Sequence, residues 1–278
     1  MIHGPDRRYF WISSLTLILT GILFLTIICP KLYHSSVLGS GWKEGFIVVF
    51  LYIWLYSVVT HFIVAYTDPG IIPRQEPPPY KLPNQKKLNV QGETILIRWC
   101  PTCNIYRPPR AVHCGICDNC VARFDHHCPY VGNCIGQRNY RYFLLFIAST
   151  LLSALFLLSH NAYYLSLSIH RTGLSEAFFS DPLLYVFLWA TSLVALIASI
   201  LLGILVGFTG FLVSCARTTN ENIKQTFFNV GNPYSRGCLG NWVLSLCPPS
   251  YPPSLRPREF QAVEDIETED EILEVNSS

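Results

Sequence analysis

Charge is scarce in this chain: only 14% of its 278 residues are Asp, Glu, Lys or Arg, while 50% are hydrophobic. That balance excludes an ordinary soluble domain and points to a membrane protein. Four apolar stretches, 11–29, 46–66, 143–165 and 183–213, contain no Asp, Glu, Lys or Arg at all. Each is long enough to cross a bilayer at roughly 20 residues per crossing, and the last has residues to spare for tilt. The same lack excludes a zinc transporter, which would need ionisable ligands inside the spans. His61 and His160 are the only such candidates there, and His160, like His170, is expected at the membrane interface. A cleavable leader is not expected, although Arg7 and Arg8 precede the first stretch, because that stretch ends in Ile28-Cys29-Pro30, without small residues at a cleavage site. There is no internal repeat.

The charges that do exist are unevenly placed. Lys and Arg number two before the first span, ten in 67–142 and five after the fourth, against two in 30–45 and one in 166–182. The positive-inside rule then puts both termini and the large loop in the cytosol. That compartment is reducing, so clustered cysteines there are metal ligands or reactive thiols and not disulfides. Asp68-Pro69-Gly70 closes the second span with turn chemistry, and Pro73 to Pro83 reads as an extended linker. From Glu264 to Glu274 seven of eleven residues are acidic, as in a solvated tail. Gly203 and Gly207 on the fourth span have the spacing of a close helix contact.

Against this sparse background, seven Cys and three His crowd into residues 100–134. Cys100-x2-Cys103 and Cys114-x2-Cys117 have the spacing of zinc half-sites, and two tetrahedral zinc ions use eight of the ten groups. One assignment gives Cys100, Cys103, His113 and Cys120 to the first ion and Cys114, Cys117, His127 and Cys134 to the second. Spacing alone does not settle it, since Cys117 and Cys120 also form a C-x2-C pair. The assignment leaves His126 and Cys128, preceded by Asp125. An imidazole can deprotonate a nearby thiol, and a carboxylate beside the imidazole fixes its tautomer. A membrane-anchored zinc module that only docks proteins would explain the eight ligands equally well, but gives no reason for the two groups left over.

The string Asp125-His126-His127-Cys128-Pro129, within C-x2-C-x9-H-C-x2-C-x2-C-x4-D-H-H-C-x5-C, resembles the DHHC family of protein S-acyltransferases (palmitoyltransferases). Asp68-Pro69-Gly70 resembles the family's DPG motif, Thr218-Thr219-Asn220-Glu221 its TTxE motif, and Asn232-Pro233-Tyr234 falls where the family has a C-terminal packing motif. The resemblance covers roughly residues 10 to 250. It implies an all-α integral membrane protein of four transmembrane helices, with a cytosolic zinc-stapled domain between the second and third. It implies two structural zinc ions and a two-step transfer of a long-chain acyl group, palmitoyl in the first instance, from acyl-CoA to cysteines of proteins. Cys128 would be the nucleophile, His126 the general base, Asp125 its orienting partner and His127 a zinc ligand. Thr218 or Thr219 would support Asp125, and Asn232 the packing of the C-terminal segment.

The resulting layout is a tail at 1–10, two spans in 11–66, linker and cysteine-rich domain in 67–142 with its core at 98–142, two spans in 143–213, a packing segment at 214–258 and an acidic tail at 259–278. CoA phosphates need cations, for which Arg107, Arg110, Arg123, Arg138 and Arg141 are candidates. A sixteen-carbon chain of about 20 Å matches about 13 residues of helix, which reaches Ser153 and Ala154 on the third span. Both are small, so a cavity accepting sixteen to eighteen carbons is expected there. Expected partners are the bilayer and proteins with membrane-proximal cysteines, with no nucleic acid, in the endoplasmic reticulum, Golgi or plasma membrane. Cys238 and Cys247 flank an apolar patch and could themselves be acylated. Related enzymes with an Asn-Pro-Tyr-Ser segment often carry paired cysteines after it, and some use an accessory subunit. The isolated cysteines here depart from that pattern.

Overall fold

The computed structural model describes residues 4–5, 7–34, 40–90, 93–227, 231–249 and 260–261. The acidic run Glu264–Glu274 lies outside the described residues. Two compact units share the chain: residues 8–65 with 141–211, and residues 1–7, 66–140 and 212–278.

The first of these units is helical. Helix α1 (Arg8–Leu23) runs through a π-helical stretch, Phe24–Ile28, into the short α2 (Cys29–His34). It is followed by α3 (Ser40–Tyr66), α4 (Tyr140–Thr172), α5 (Leu174–Ser180) and α6 (Pro182–Ser214). Four segments are long and apolar enough to cross a membrane: Arg8–Ile28, Glu44–Tyr66, Tyr140–Thr172 and Pro182–Ser214. The last two, at 33 residues each, are roughly 50 Å long at 1.5 Å per residue and exceed the bilayer core. The third is thus longer than the 143–165 expected from hydropathy, because its flanking turns are polar yet still helical.

Burial in this unit follows the membrane pattern. Leu201 and Ile204 are exposed, whereas Ser57, Thr60, His61, Ser149, Ser153 and Asn161 are buried. Small polar groups join the helices, since lipid offers no hydrophobic drive for packing. Ser14 Oγ bonds His61 Nε2 at 2.9 Å, Ser57 Oγ bonds Thr150 Oγ1 at 2.6 Å, and Asn161 Nδ2 donates to Thr191 Oγ1 at 2.9 Å. His61 is thereby held in a contact between helices. His160 is buried within the helical unit and stacks on Phe46 at 3.6 Å between ring centroids. At Gly203 and Gly207, read as a close helix contact, a Cβ would meet nothing within 4 Å, so neither packs against a helix among the described residues. Close approach occurs instead at Gly21, where a Cβ would overlap the Trp54 ring.

The second unit is built from short strand pairs. Strands β1 (Ile71–Ile72), β7 (Asn119–Val121) and β6 (Val112–Cys114) form one sheet. Strands β3 (Gln85–Val90), β4 (Glu93–Cys100) and β5 (Ile105–Tyr106) form another, and β8 (His126–Cys128) pairs with β9 (Asn133–Ile135). β2 (Arg74–Gln75) pairs in parallel with β10 (Phe260–Gln261). Two short helices, α7 (Thr219–Ile223) and α8 (Gly237–Leu246), complete it. Strands β3 and β4 pair antiparallel at six positions. The linker is extended but not loose. Gln75 N donates to Cys103 O at 3.0 Å, and Tyr106 OH donates to Pro83 O at 2.8 Å.

Candidate metal centre and reactive cysteine

Strand alternation sorts the ligands. Successive residues of a strand face opposite sides, and residues paired across a ladder share a side. In the β6/β7 ladder His113 pairs with Cys120 while the next residue, Cys114, pairs with Asn119. The neighbours His113 and Cys114 are therefore turned to different metals. In the β8/β9 ladder His127 pairs with Cys134, and His126 and Cys128 occupy the alternate positions. One three-residue strand thus separates a ligand from the two groups that are not ligands.

The result is two tetrads, Cys100, Cys103, His113, Cys120 and Cys114, Cys117, His127, Cys134, with the ligand atoms of each within 4.8 Å of one another. The middle hairpin serves both, so the sets interleave. Asn104 and Asp118, which directly follow the second cysteine of each C-x2-C, have φ of 54° and 51°. Asn and Asp tolerate this left-handed region better than other side chains, which lets the chain turn back over the metal.

Geometry and donor chemistry fit zinc. With metal–sulfur near about 2.3 Å and metal–nitrogen near about 2.0 Å, a tetrahedron sets sulfur and nitrogen roughly 3.6 Å apart. The Nδ1 of His127 lies 3.8, 3.4 and 3.8 Å from the sulfurs of Cys114, Cys117 and Cys134. The Nδ1 of His113 lies 3.5 Å from Cys103 and 3.9 Å from Cys120. Both sets are filled by protein ligands, the pattern of structural zinc.

Asp125 lies at the centre of what remains. Its carboxylate is buried and accepts three bonds: from His126 Nδ1 at 2.6 Å, Thr219 Oγ1 at 2.7 Å and Thr219 N at 2.9 Å. Burial alone would raise its pKa, but His126 and Thr219 outweigh it and the net shift is downward. Burial likewise opposes charge on His126, yet hydrogen bonds to Asp125 and Cys128 push its pKa up to about 9. Cys128 belongs to neither tetrad. Its carbonyl accepts Gly132 N at 2.9 Å, closing the turn to β9, with Gly132 at φ 67°.

Thr219 is held by a chain of contacts. Thr218 caps α7 in a capping box: its hydroxyl accepts Glu221 N, and Glu221 Oε2 accepts Thr218 N at 2.8 Å. Glu221 is buried and grips Arg110, with Nε to Oε1 at 2.6 Å and Nη2 to Oε2 at 2.7 Å. Arg110 also donates to Ala216 O and lies over the Tyr234 ring at 4.6 Å. Asn232 Nδ2 donates to Cys215 O at 3.0 Å and Ala216 O at 3.1 Å. Asp68 accepts Gly70 N and Ile71 N at 2.9 Å each and pairs with Arg138.

Two of the five candidate arginines, Arg110 and Arg138, therefore hold internal carboxylates. Arg123 stacks on Tyr140 at 5.1 Å, Arg107 donates to Arg98 O, and Arg141 donates to Tyr142 OH. Ser153 is buried in α4, its Oγ bonded to Ser149 O at 2.9 Å, with Ala154 next to it. Asn139 was not singled out from sequence, and Asp68 and Glu221 were named there only as parts of motifs, without a partner. Asn139 accepts Gly136 N and donates to Cys134 O, pinning the second tetrad from behind. A signal existed for Glu221, since Thr-x-x-Glu before a helix is the capping-box signature.

Four membrane-length helices interrupted by a double Cys3His centre define a multi-pass membrane protein with an inserted metal domain. Comparison with known proteins makes this specific. Residues 93–226 match the family model described as DHHC palmitoyltransferase, and the chain belongs to that family. It is 33% identical over 273 residues to "Protein S-acyltransferase 8" of Arabidopsis thaliana, covering 89% of this chain and 65% of that protein. It is 39% identical over 236 residues to "Palmitoyltransferase ZDHHC9" of Homo sapiens, covering 74% and 62%. With "Palmitoyltransferase ZDHHC8B" of Danio rerio the identity is 36% over 266 residues, 88% of this chain but 32% of that one. The chain thus spans under two thirds of the length of these relatives.

Proposed function

We propose that this protein is a protein S-acyltransferase that carries a long-chain acyl group, palmitoyl in the first instance, from acyl-CoA to protein cysteines through an acyl-Cys128 thioester. The observation that carries the reading is the alternation along β8. It leaves Cys128 out of both tetrads while His126, hydrogen-bonded to it, is oriented by Asp125.

In the first step His126 takes the Cys128 proton and the thiolate attacks the thioester carbonyl of acyl-CoA. The carbon–sulfur bond to CoA breaks, and CoA leaves as the thiol, taking the proton back from His126. In the second step the thiol of a protein cysteine gives its proton to His126 and attacks the acyl-Cys128 carbonyl. Cys128 leaves as the thiolate and is reprotonated from His126. Each step exchanges one thioester for another, so what the protein must supply is a reactive thiolate and positioning. Asp125 fixes the His126 tautomer and stabilises its cation, and Thr219 fixes Asp125. Zinc in the two tetrads cross-links a segment of little apolar core.

CoA phosphates fall to Arg107, Arg123 and Arg141, because Glu221 and Asp68 hold the other two. Ser153 and Ala154 are the proposed wall of the acyl-tail cavity, which Ser153→Phe would shorten. The active site and both termini face the cytosol of a secretory-pathway membrane, as the Lys and Arg distribution supports. Substrates are proteins with cysteines near the membrane surface.

Intact-mass analysis after incubation with palmitoyl-CoA tests this. Wild type should gain a hydroxylamine-labile palmitoyl adduct. Cys128→Ser should gain none while keeping about two zinc ions. A mutant that loses a zinc ion, or an adduct that persists without Cys128, would refute the assignment.

A further inference from the structure

Helix α8 is built inside out. Its ten residues, Gly237–Leu246, carry no charge. Asn241 and Ser245, four apart and so on one face, are buried at 3% and 3%. Leu239, Val243 and Leu246 lie on the opposite face and are exposed at 82%, 62% and 39%, with Cys238 and Cys247 exposed at either end. A short helix on a soluble surface buries its apolar stripe and shows its polar one. Here the reverse holds, and hydrogen bonds explain what the polar face does. Asn241 Nδ2 donates to Ser214 O at 3.0 Å, its Oδ1 accepts Arg236 N at 2.8 Å, and Trp242 Nε1 donates to Ser214 Oγ at 3.1 Å.

Ser214 is the last residue of α6, the fourth membrane-length helix. The polar face of α8 is therefore tied to the point where a span ends. Asn241 Nδ2 caps a carbonyl in the final turn of α6, where side chains commonly bond the helix-end carbonyls. We propose that α8 is an interfacial helix, its Leu239–Val243–Leu246 face seated at the headgroup–acyl boundary of the lipid bilayer. Continuity with the span places it there. The absence of any acidic residue in α8 suits an anionic leaflet, and exposed Arg236 supplies a cation at its start. Trp242 is the residue type that favours this depth. A second copy of the chain fits less well, since three side chains fall far below the roughly 800 Å² per partner of a stable interface. This inference rests on the multi-pass membrane reading and not on acyl transfer.

Full-length protein with para-benzoylphenylalanine replacing Val243, and separately Leu239, would be placed in nanodiscs of phosphatidylcholine and phosphatidylserine and photolysed. Both side chains point outward, so the replacement leaves the Ser214 contacts in place, and retention of zinc reports a folded domain. The expected product is chain plus one lipid by intact mass at both positions. Benzophenone spent without a lipid adduct overturns the proposal. A cross-link to a second copy, or to another segment of the same chain such as 250–259, overturns it as well.

Discussion

Asp125 receives its three hydrogen bonds from two directions, His126 in its own strand and Thr219 from a helix 94 positions later. Thr219 is in place because Glu221 caps α7, and Glu221 is in place because Arg110 holds both its oxygens. Removing one partner of a buried ion pair leaves the other uncompensated, which costs more than the pair itself contributes. Glu221→Gln should thus loosen Thr219 without touching a zinc ligand. We expect Cys128 acylation to slow about 10- to 100-fold, as when groups that orient reacting residues are lost. KM for acyl-CoA should hold within about twofold and zinc content should not change. Single-turnover kinetics with metal analysis checks this, and an equal fall through KM would place Glu221 in donor binding instead. Asp125→Asn, which presents the wrong hydrogen-bond donor to His126, should be worse, at about 10³- to 10⁴-fold.

At the scale of elements, β8 makes the sharpest claim. Positions 126 and 128 share a side and 127 the other, so adjacent histidines should behave oppositely. His127→Ala should lose about one zinc ion per chain, whereas His126→Ala should keep about two while losing acylation. Inductively coupled plasma analysis of the two variants decides it, and equal zinc in both would sink the alternation argument. The sequence made the ten-residue cluster and its surplus plain, because ligand spacing is local. It left the choice between Cys117 and Cys120 pairings open, because ladder register is not local: His113 opposite Cys120 depends on the turn after Cys117. The spans were equally plain from apolar runs, yet their contacts were not. Gly203 and Gly207 had the motif and meet no helix among the described residues, whereas Gly21 had none and lies against Trp54. Gly21→Leu should overpack this site and cost about 1–3 kcal/mol, lowering the melting temperature in lipid nanodiscs, while Gly203→Ala should leave it unchanged.

On the scale of the whole chain, the two compact units are stabilised by different physics. The helical unit has a continuous buried cluster, including Phe24, Phe50, Leu157 and Leu188, and backbone bonds satisfied within each helix. Among the described residues, the buried apolar clusters of the unit containing the cysteine domain are small. One is Ile71 and Val121 with Cys114 and Cys134, and another is Ile105 with Cys100, Cys103 and Cys120. More than half of those buried groups are candidate metal ligands, so the core and the metal sites largely coincide. Such a domain draws its folding free energy largely from metal binding, as small zinc modules do. A membrane-permeant zinc chelator should therefore act on one unit alone. Protease sites should open within residues 93–140 and acylation should be lost, while far-UV circular dichroism keeps the helical signal of the four long helices. Equal loss of helicity would mean that the spans need the metal domain to stay folded. Readdition of zinc under reducing conditions should restore both protection and acylation, since the ligands are thiols that survive chelation unless oxidised.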